Sequence, residues 1–348
     1  MRSGNFKQTH AELVGLTDQP LVWAWSAGLL VMLVALPFVV NSYALSLLTL
    51  VLITMIGALG LNLLTGLTGL ISLGHAGFLM LGAYAYAVLV TRYKLPPLAG
   101  FIAAGIVPAL VAVIVGLPSL RLRGLYLAIT TLAFSEIIAS VILEASSITA
   151  GARGIAVVRP NLLGLDLDDD RFFAVFCLSM AVATLLACLN IRRSRAGRAF
   201  MAIRDNDIAA QTMGINLARY KLYAFMTSAF ITGIAGGLMA LYLSFVNVEG
   251  FPFLFSIEAL AILIVGGMGS ALGAVFGTIF IVILPEIVRT VFSFGGVGLQ
   301  SLFSNGGHEV KSIVYGVIII LFLRFEPRGL VGVWHDAKRL WVYWPLRY

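Results

Sequence analysis

Apolar residues fall in long runs along this chain, parted by short polar or basic segments. A hydrocarbon core of about 30 Å takes about 20 residues of helix to cross. Runs of that kind lie at 21–40, 43–64, 71–91, 98–117, 124–143, 171–191, 221–243, 254–268, 270–291 and 311–325. The pattern predicts an all-α fold, a polytopic transmembrane helical bundle of about 10 spans. Two of these runs are interrupted by glycine. The eighth is short and ends in Gly266-Gly267-Met268-Gly269, and the third is approached through Thr65-Gly66-Leu67-Thr68-Gly69. Broken or re-entrant helices are therefore expected near 65–77 and 254–270, since irregular backbone at membrane depth survives only where protein buries it. The two breaks occupy comparable places in the two halves, as they do in transporters built from structural repeats. Gly269, Gly273 and Gly277 recur every fourth residue and read more simply as a smooth ridge for helix packing.

Composition sharpens this picture. Hydrophobic residues make up 60% of the 348 and charged ones 11%, with a mean hydropathy of +1.00, so lipid is the main solvent. The net charge of +7 does not point to nucleic acid. Lys and Arg cluster in short segments between apolar runs, which is how membrane topology is encoded. With an even number of crossings most of the 23 cations share one side, which places both termini in the cytoplasm. The chain then divides into a cytoplasmic N-terminal segment (1–20), a membrane domain (21–325) and a cytoplasmic tail (326–348). Within the membrane domain, 192–220 is an inner loop and 144–170 an outer loop carrying the acidic run Asp166, Asp168, Asp169 and Asp170. The first apolar run lacks an evident small-residue cleavage site and reads as an uncleaved span. Cys177 and Cys188 share a helix face about 16 Å apart. That is too far for a disulfide, and they read as packing residues.

Chemistry is sparse. The sequence contains neither a phosphate-binding loop nor a zinc pattern, which disfavours an ATPase or an enzyme. The ionisable residues within the spans are Glu136 (beside Thr130, Thr131 and Ser135), Glu258, Glu286, and His75 at the inner mouth of the third run. Charge in hydrocarbon is costly, so His75, Glu136 and Glu258 are candidates for the substrate path, with interhelical hydrogen bonding as the plainer alternative. The inner loop is too polar for lipid, yet Phe200, Ile203, Ile208 and Met213 suggest a short amphipathic helix. Asp207 followed by Ala209, Ala210 and Gly214 offers small residues where another protein can approach, with a glycine to end the helix. A basic loop that only fixes topology or touches anionic lipid is the alternative.

Five stretches carry a resemblance: GLTGLISLGHAGFLMLGAY (66–84), GLYLAITTLAFSEII (124–138), SRAGRAFMAIRDNDIAAQTMGIN (194–216), GGMGSALGAVFG (266–277) and RFEPRGLVG (324–332). In these the chain resembles the LivM-type permease subunits of bacterial branched-chain amino-acid ABC importers, whose signature is partly shared by urea and short-amide permeases. The resemblance implies a heterodimer with a second permease, two cytoplasmic ATPase subunits that bind ATP and Mg, and an extracytoplasmic solute-binding protein. It implies no cofactor in this chain. It also likens 207–214 to the loop by which such permeases dock on their ATPases. Ala209, Ala210 and Gly214 match its core, Ile208 stands where Glu is usual, and Arg198, Arg204 and Asp207 are offered as coupling residues. Leucine, isoleucine and valine are the solutes so implied. An ion-coupled transporter using Glu136, an intramembrane enzyme and a channel are the rival classes.

Overall fold

The computed structural model describes residues 20–119, 122, 124–162, 165–293, 316–317, 320–322, 324, 326 and 329–343. The helices are α1 (Pro20–Val39), α2 (Ser42–Leu61), α3 (His75–Ala87), α4 (Pro97–Ser119), α5 (Leu125–Glu144) and the single turn α6 (Ser146–Thr149). They continue with α7 (Asp170–Arg193), α8 (Arg195–Asp205), α9 (Asp207–Thr212), α10 (Leu217–Leu243), α11 (Leu254–Gly266), α12 (Ala271–Ser293) and α13 (Gly329–Tyr343). Wider π-helical turns extend α2 through Asn62–Leu67 and α3 through Val88–Arg92. Among the described residues strands are confined to two-residue pairs, β1 (Ile155–Ala156) with β4 (Phe245–Val246) and β2 (Asn161–Leu162) with β3 (Leu165–Asp166).

The bundle is all-α, as the apolar runs require when lipid offers the backbone no hydrogen bonds. Among the described residues five helices are long and apolar enough to cross a membrane: Ser42–Leu67, Pro97–Leu117, Leu125–Glu144, Asp170–Arg193 and Leu217–Leu243. The pair Leu254–Gly266 and Ala271–Ile287 supplies a sixth crossing if it counts as one span. Three of the ten expected runs take a different form. The third opens with non-helical backbone and becomes helical only at His75, and the eighth and ninth form a hairpin bent by 119°. The tenth run, 311–325, lies largely outside the described residues.

α10 is the central post, buried along most of its length against α2, α3 and α4. Glycine permits the approach. A Cβ at Gly233 would overlap the Ala104 carbonyl oxygen, one at Gly236 the Leu79 carbonyl oxygen, and one at Gly82 the Gly233 carbonyl oxygen. Without a hydrophobic force between helices in lipid, such backbone-level packing supplies the association. Cys177 and Cys188 are free and buried in this core.

The two ends of the bundle differ. One, the basic face, carries α8 and α9. The other, the strand face, carries β1 to β4, and α7 joins the two ends. At the strand face the acidic run is put to structural use. Asp169 accepts from Arg171 N–H at 2.9 Å to cap α7, and Asp170 pairs with Arg159. Arg159 also donates to Leu241 O at 3.2 Å, fastening the 144–170 segment to the end of α10.

Candidate functional site

At the basic face each helix start is capped by a side chain that the local sequence supplies. Ser194 Oγ accepts from Gly197 N–H at 3.2 Å for α8. Asn206 Oδ1 accepts from Ile208 and Ala209 N–H at 3.0 and 3.1 Å for α9, and Asn216 Oδ1 accepts from Arg219 N–H at 3.1 Å for α10. Gly214 closes α9 at a φ of +83°, and nothing lies within 4 Å of where its Cβ would stand. Its role is conformational rather than spatial. The residues of this loop separate by direction. Ala210 turns inward and is buried, so it offers no surface to a neighbour. Ile208, Ala209 and Met213 are exposed, Met213 at 84%. Asp207 is half-buried, and exposed Arg198 donates to Arg193 O at 2.8 Å within its own segment.

Arg204, though exposed overall, turns its guanidinium toward the bundle. Its guanidinium donates to Gly66 O, and its side chain lies over Gly69 and against Gly269. Asn62, buried at the end of α2, joins the same point: Oδ1 accepts from Gly269 N–H at 2.9 Å, and Nδ2 donates to Ser270 O at 3.2 Å. The two glycine breaks therefore meet, and one cation from the basic helices spans both. Gly66 has no room for a side chain, because a Cβ would overlap Asn62 Oδ1. Gly269 belongs to this junction, in the turn between α11 and α12 at a φ of +82°, and not to the ridge. Gly273 and Gly277 do pack, against the Gly267 and Ile262 carbonyl oxygens of the hairpin itself. Nothing in the local sequence marks Asn62, whose partners lie 207 and 208 residues away.

The second feature is a partly open cavity of about 220 Å³ lined by α2, α3, α10, α11 and α12, with His75 and Glu258 on its wall. His75 is buried inside the bundle. It faces Gly57, about 22 Å by helical rise from the first residue of α2. The missing side chain at Gly57 leaves room for the imidazole, since a Cβ there would stand 3.1 Å from Nε2. Hydroxyls hold the start of α3. Leu73 N–H donates to Thr131 Oγ1 at 2.9 Å, Gly74 N–H to Ser72 Oγ at 3.3 Å, and Ala76 N–H to Ser256 Oγ at 2.9 Å. The last bond joins the starts of α3 and α11, two 13-residue helices that diverge from this point. α3 leads to Arg92, which donates to Ile148 O near the strand face, and α11 leads to the junction at Asn62. Of the three proposed path residues the cavity gathers His75 and Glu258. Glu136 instead lies on the exposed side of α5, among the exposed Ile129, Ile137 and Val141. Among the described residues no cluster of His, Cys, Asp or Glu is arranged to hold a metal ion.

Comparison with known proteins bears on this architecture. The family described as branched-chain amino acid transport system / permease component matches residues 43–323. The high-affinity branched-chain amino acid transport system permease protein LivM of Salmonella typhimurium is 34% identical over 337 residues, covering 90% of this chain and 76% of that protein. The LivM protein of Escherichia coli K12 gives the same figures, 34% over 337 residues with 90% and 76% coverage. A probable branched-chain amino acid transport permease protein LivH of Methanocaldococcus jannaschii is 28% identical over 292 residues, covering 81% of this chain and 90% of its own. No solved structure matches the chain.

Proposed function

Because the chain belongs to the branched-chain amino acid transport system permease family, we propose that it is the transmembrane subunit of a binding-protein-dependent ABC importer for branched-chain amino acids. It is a transport subunit of a multi-pass membrane protein assembly, resident in the bacterial inner membrane, and it pairs with a second, similar permease. The basic face is cytoplasmic. Two ATPase subunits dock there on the exposed face of α9, and an extracytoplasmic binding protein delivers solute at the strand face. ATP and Mg are bound by the ATPases alone.

The observation that carries this reading is the reach of Arg204. A helix pair exposed to a cytoplasmic partner is bonded through one guanidinium to the first glycine break and packed against the second, and Asn62 bonds the two breaks together, so displacement of α8 and α9 pulls on two membrane segments at once. Alternating access needs such a link between the nucleotide engine and the helices that open and close the path. The exposed α5 face supports the permease pairing. A carboxylate in the middle of a span is costly against lipid, so the face bearing Glu136 is covered by protein, and the second permease is the natural cover. The same placement weighs against an ion-coupled carrier with Glu136 as its proton site, because Glu136 is remote from the cavity. A buried carboxylate in an apolar cavity also suits an amino acid better than urea or a short amide.

Reconstitution of the chain with its partner subunits in proteoliposomes tests the reading. Leucine uptake should require ATP inside and binding protein outside. Uptake that survives ATP depletion and collapses with the proton gradient would select the ion-coupled class instead.

A further inference from the structure

His75, Glu258 and the cavity between α2, α3, α10, α11 and α12 have no part in coupling at the basic face. Three features converge there. The wall is largely apolar, lined by Leu50, Ile53, Leu79, Met239, Phe255 and Val282. Four polar side chains sit on that wall: half-buried Thr54 and Tyr242, the latter bonded to Ser46, and the buried ionisable pair His75 at 5% exposure and Glu258 at 9%. Among the described residues the His75 ring has no hydrogen-bond partner, although it is more than nine-tenths buried. The starts of α3 and α11 meet beside it through the Ala76 to Ser256 bond, so two helix dipoles present their positive ends at one place inside the bundle.

We infer that this cavity binds one free amino acid as its zwitterion: the carboxylate toward His75 and the paired helix starts, the ammonium toward Glu258, and the aliphatic side chain against the apolar wall. This rests on the permease reading and names where the solute pauses within it. The charge pattern excludes simpler ligands. An inorganic cation would use Glu258 but gain nothing from positive helix ends, and an anion would be repelled by Glu258. A zwitterion satisfies both, and a neutral amide satisfies neither. Size agrees. Liquid water takes about 30 Å³ per molecule, so about 220 Å³ admits one amino acid in place of several waters and excludes a peptide. Broken helices whose positive ends face an anionic substrate group inside the membrane are a general solution to moving charged solutes through lipid.

The test uses the assembled importer in nanodiscs without binding protein, and measures binding of radiolabelled leucine with leucinamide and 4-methylpentanoate as competitors. The last is leucine without its ammonium. Glu258→Gln should weaken leucine about tenfold or more, in line with loss of a charge-assisted contact, yet strengthen 4-methylpentanoate, which has no ammonium to lose a partner and is freed of the carboxylate's repulsion. His75→Leu should weaken leucine and 4-methylpentanoate while sparing leucinamide. Val282→Phe, which fills the cavity from a separate helix, should abolish leucine binding even if either polar variant fails to assemble. Unchanged leucine affinity in Glu258→Gln, equal losses for leucine and 4-methylpentanoate there, or leucine binding that persists in Val282→Phe would each overturn the site. ATP-driven uptake by the unaltered importer is read separately. If it persists while those variants bind leucine normally, the site is wrong and the permease reading stands. If it is absent, the permease reading falls.

Discussion

Arg204→Ala isolates the link between the basic helices and the membrane breaks. The substitution removes the donor to Gly66 O and the packing of the side chain over Gly69 and Gly269, and leaves the Asn62 bonds to Gly269 and Ser270 in place. A hydrogen bond to a charged donor contributes about 1.5–3 kcal/mol. The lower end applies here because Arg204 is exposed and water screens it. At about 1.4 kcal/mol per factor of ten, the coupling between ATP turnover and solute movement should fall about tenfold. The fold should survive, since the core does not depend on this contact. The assay is the ratio of leucine transported to ATP hydrolysed in proteoliposomes, with basal hydrolysis and thermal unfolding measured in parallel. Arg204→Lys should recover part of the ratio, because an ammonium can reach one carbonyl but cannot lie flat against both glycine turns. An unchanged ratio in Arg204→Ala, or a fall in uptake and hydrolysis in equal proportion with the loss of folded complex, would refute the argument.

Gly236→Val should prevent stable assembly of the bundle, since a Cβ there meets the Leu79 carbonyl oxygen and overpacking of this kind costs about 1–3 kcal/mol or more; expression and thermal unfolding in detergent report it. Gly214→Val meets no neighbour but is strained at a φ of +83°, by about 1–3 kcal/mol, so membrane insertion should persist while stimulation of the ATPases is lost. Cysteine crosslinks to the ATPases should form readily from Met213, 84% exposed, and poorly from Ala210, 4% exposed; the reverse order would mean that α9 docks by its other side. Glu136→Leu should weaken co-purification of the second permease while sparing leucine binding in the cavity, and normal pairing would show that α5 is not the covered face.

Uniform apolar runs were legible because length and composition alone decide them. The run read at 43–64 becomes Ser42–Leu67, and that at 171–191 becomes Asp170–Arg193. Both glycine breaks were visible, but their meaning was not. Sequence spacing grouped Gly269 with Gly273 and Gly277, whereas its positive φ puts it in the turn, where Arg204 reaches it. The direction of Arg204 and the role of Asn62 were invisible for the same reason: their contacts span 138 and 207 residues of chain. Periodicity reports which face of a helix is apolar and says nothing of what a distant turn will bring to it. Glu136 failed in the opposite sense. Its depth within the run was read correctly, but depth does not distinguish an inward face from one awaiting a partner.

The glycines at the two breaks explain why a single arginine suffices as the link. Side chains at Gly66, Gly69 and Gly269 would hold the segments apart, and any force on α8 would then be absorbed by rotamer changes. With bare backbone at all three positions the guanidinium bonds directly to the main chain, and Asn62 binds one break to the other through two main-chain groups. Main chain in a turn cannot yield by changing rotamer. A shift of the basic helices must therefore appear as a shift of the end of α2 and of the α11–α12 hairpin together. The hairpin begins at Leu254; its Ser256 holds the start of α3, and Phe255 and Glu258 on the same turn line the cavity. Displacement at the basic face thus reaches the wall of the cavity through bonded segments only, with α10, locked at Gly233 and Gly236, as the fixed post against which they move.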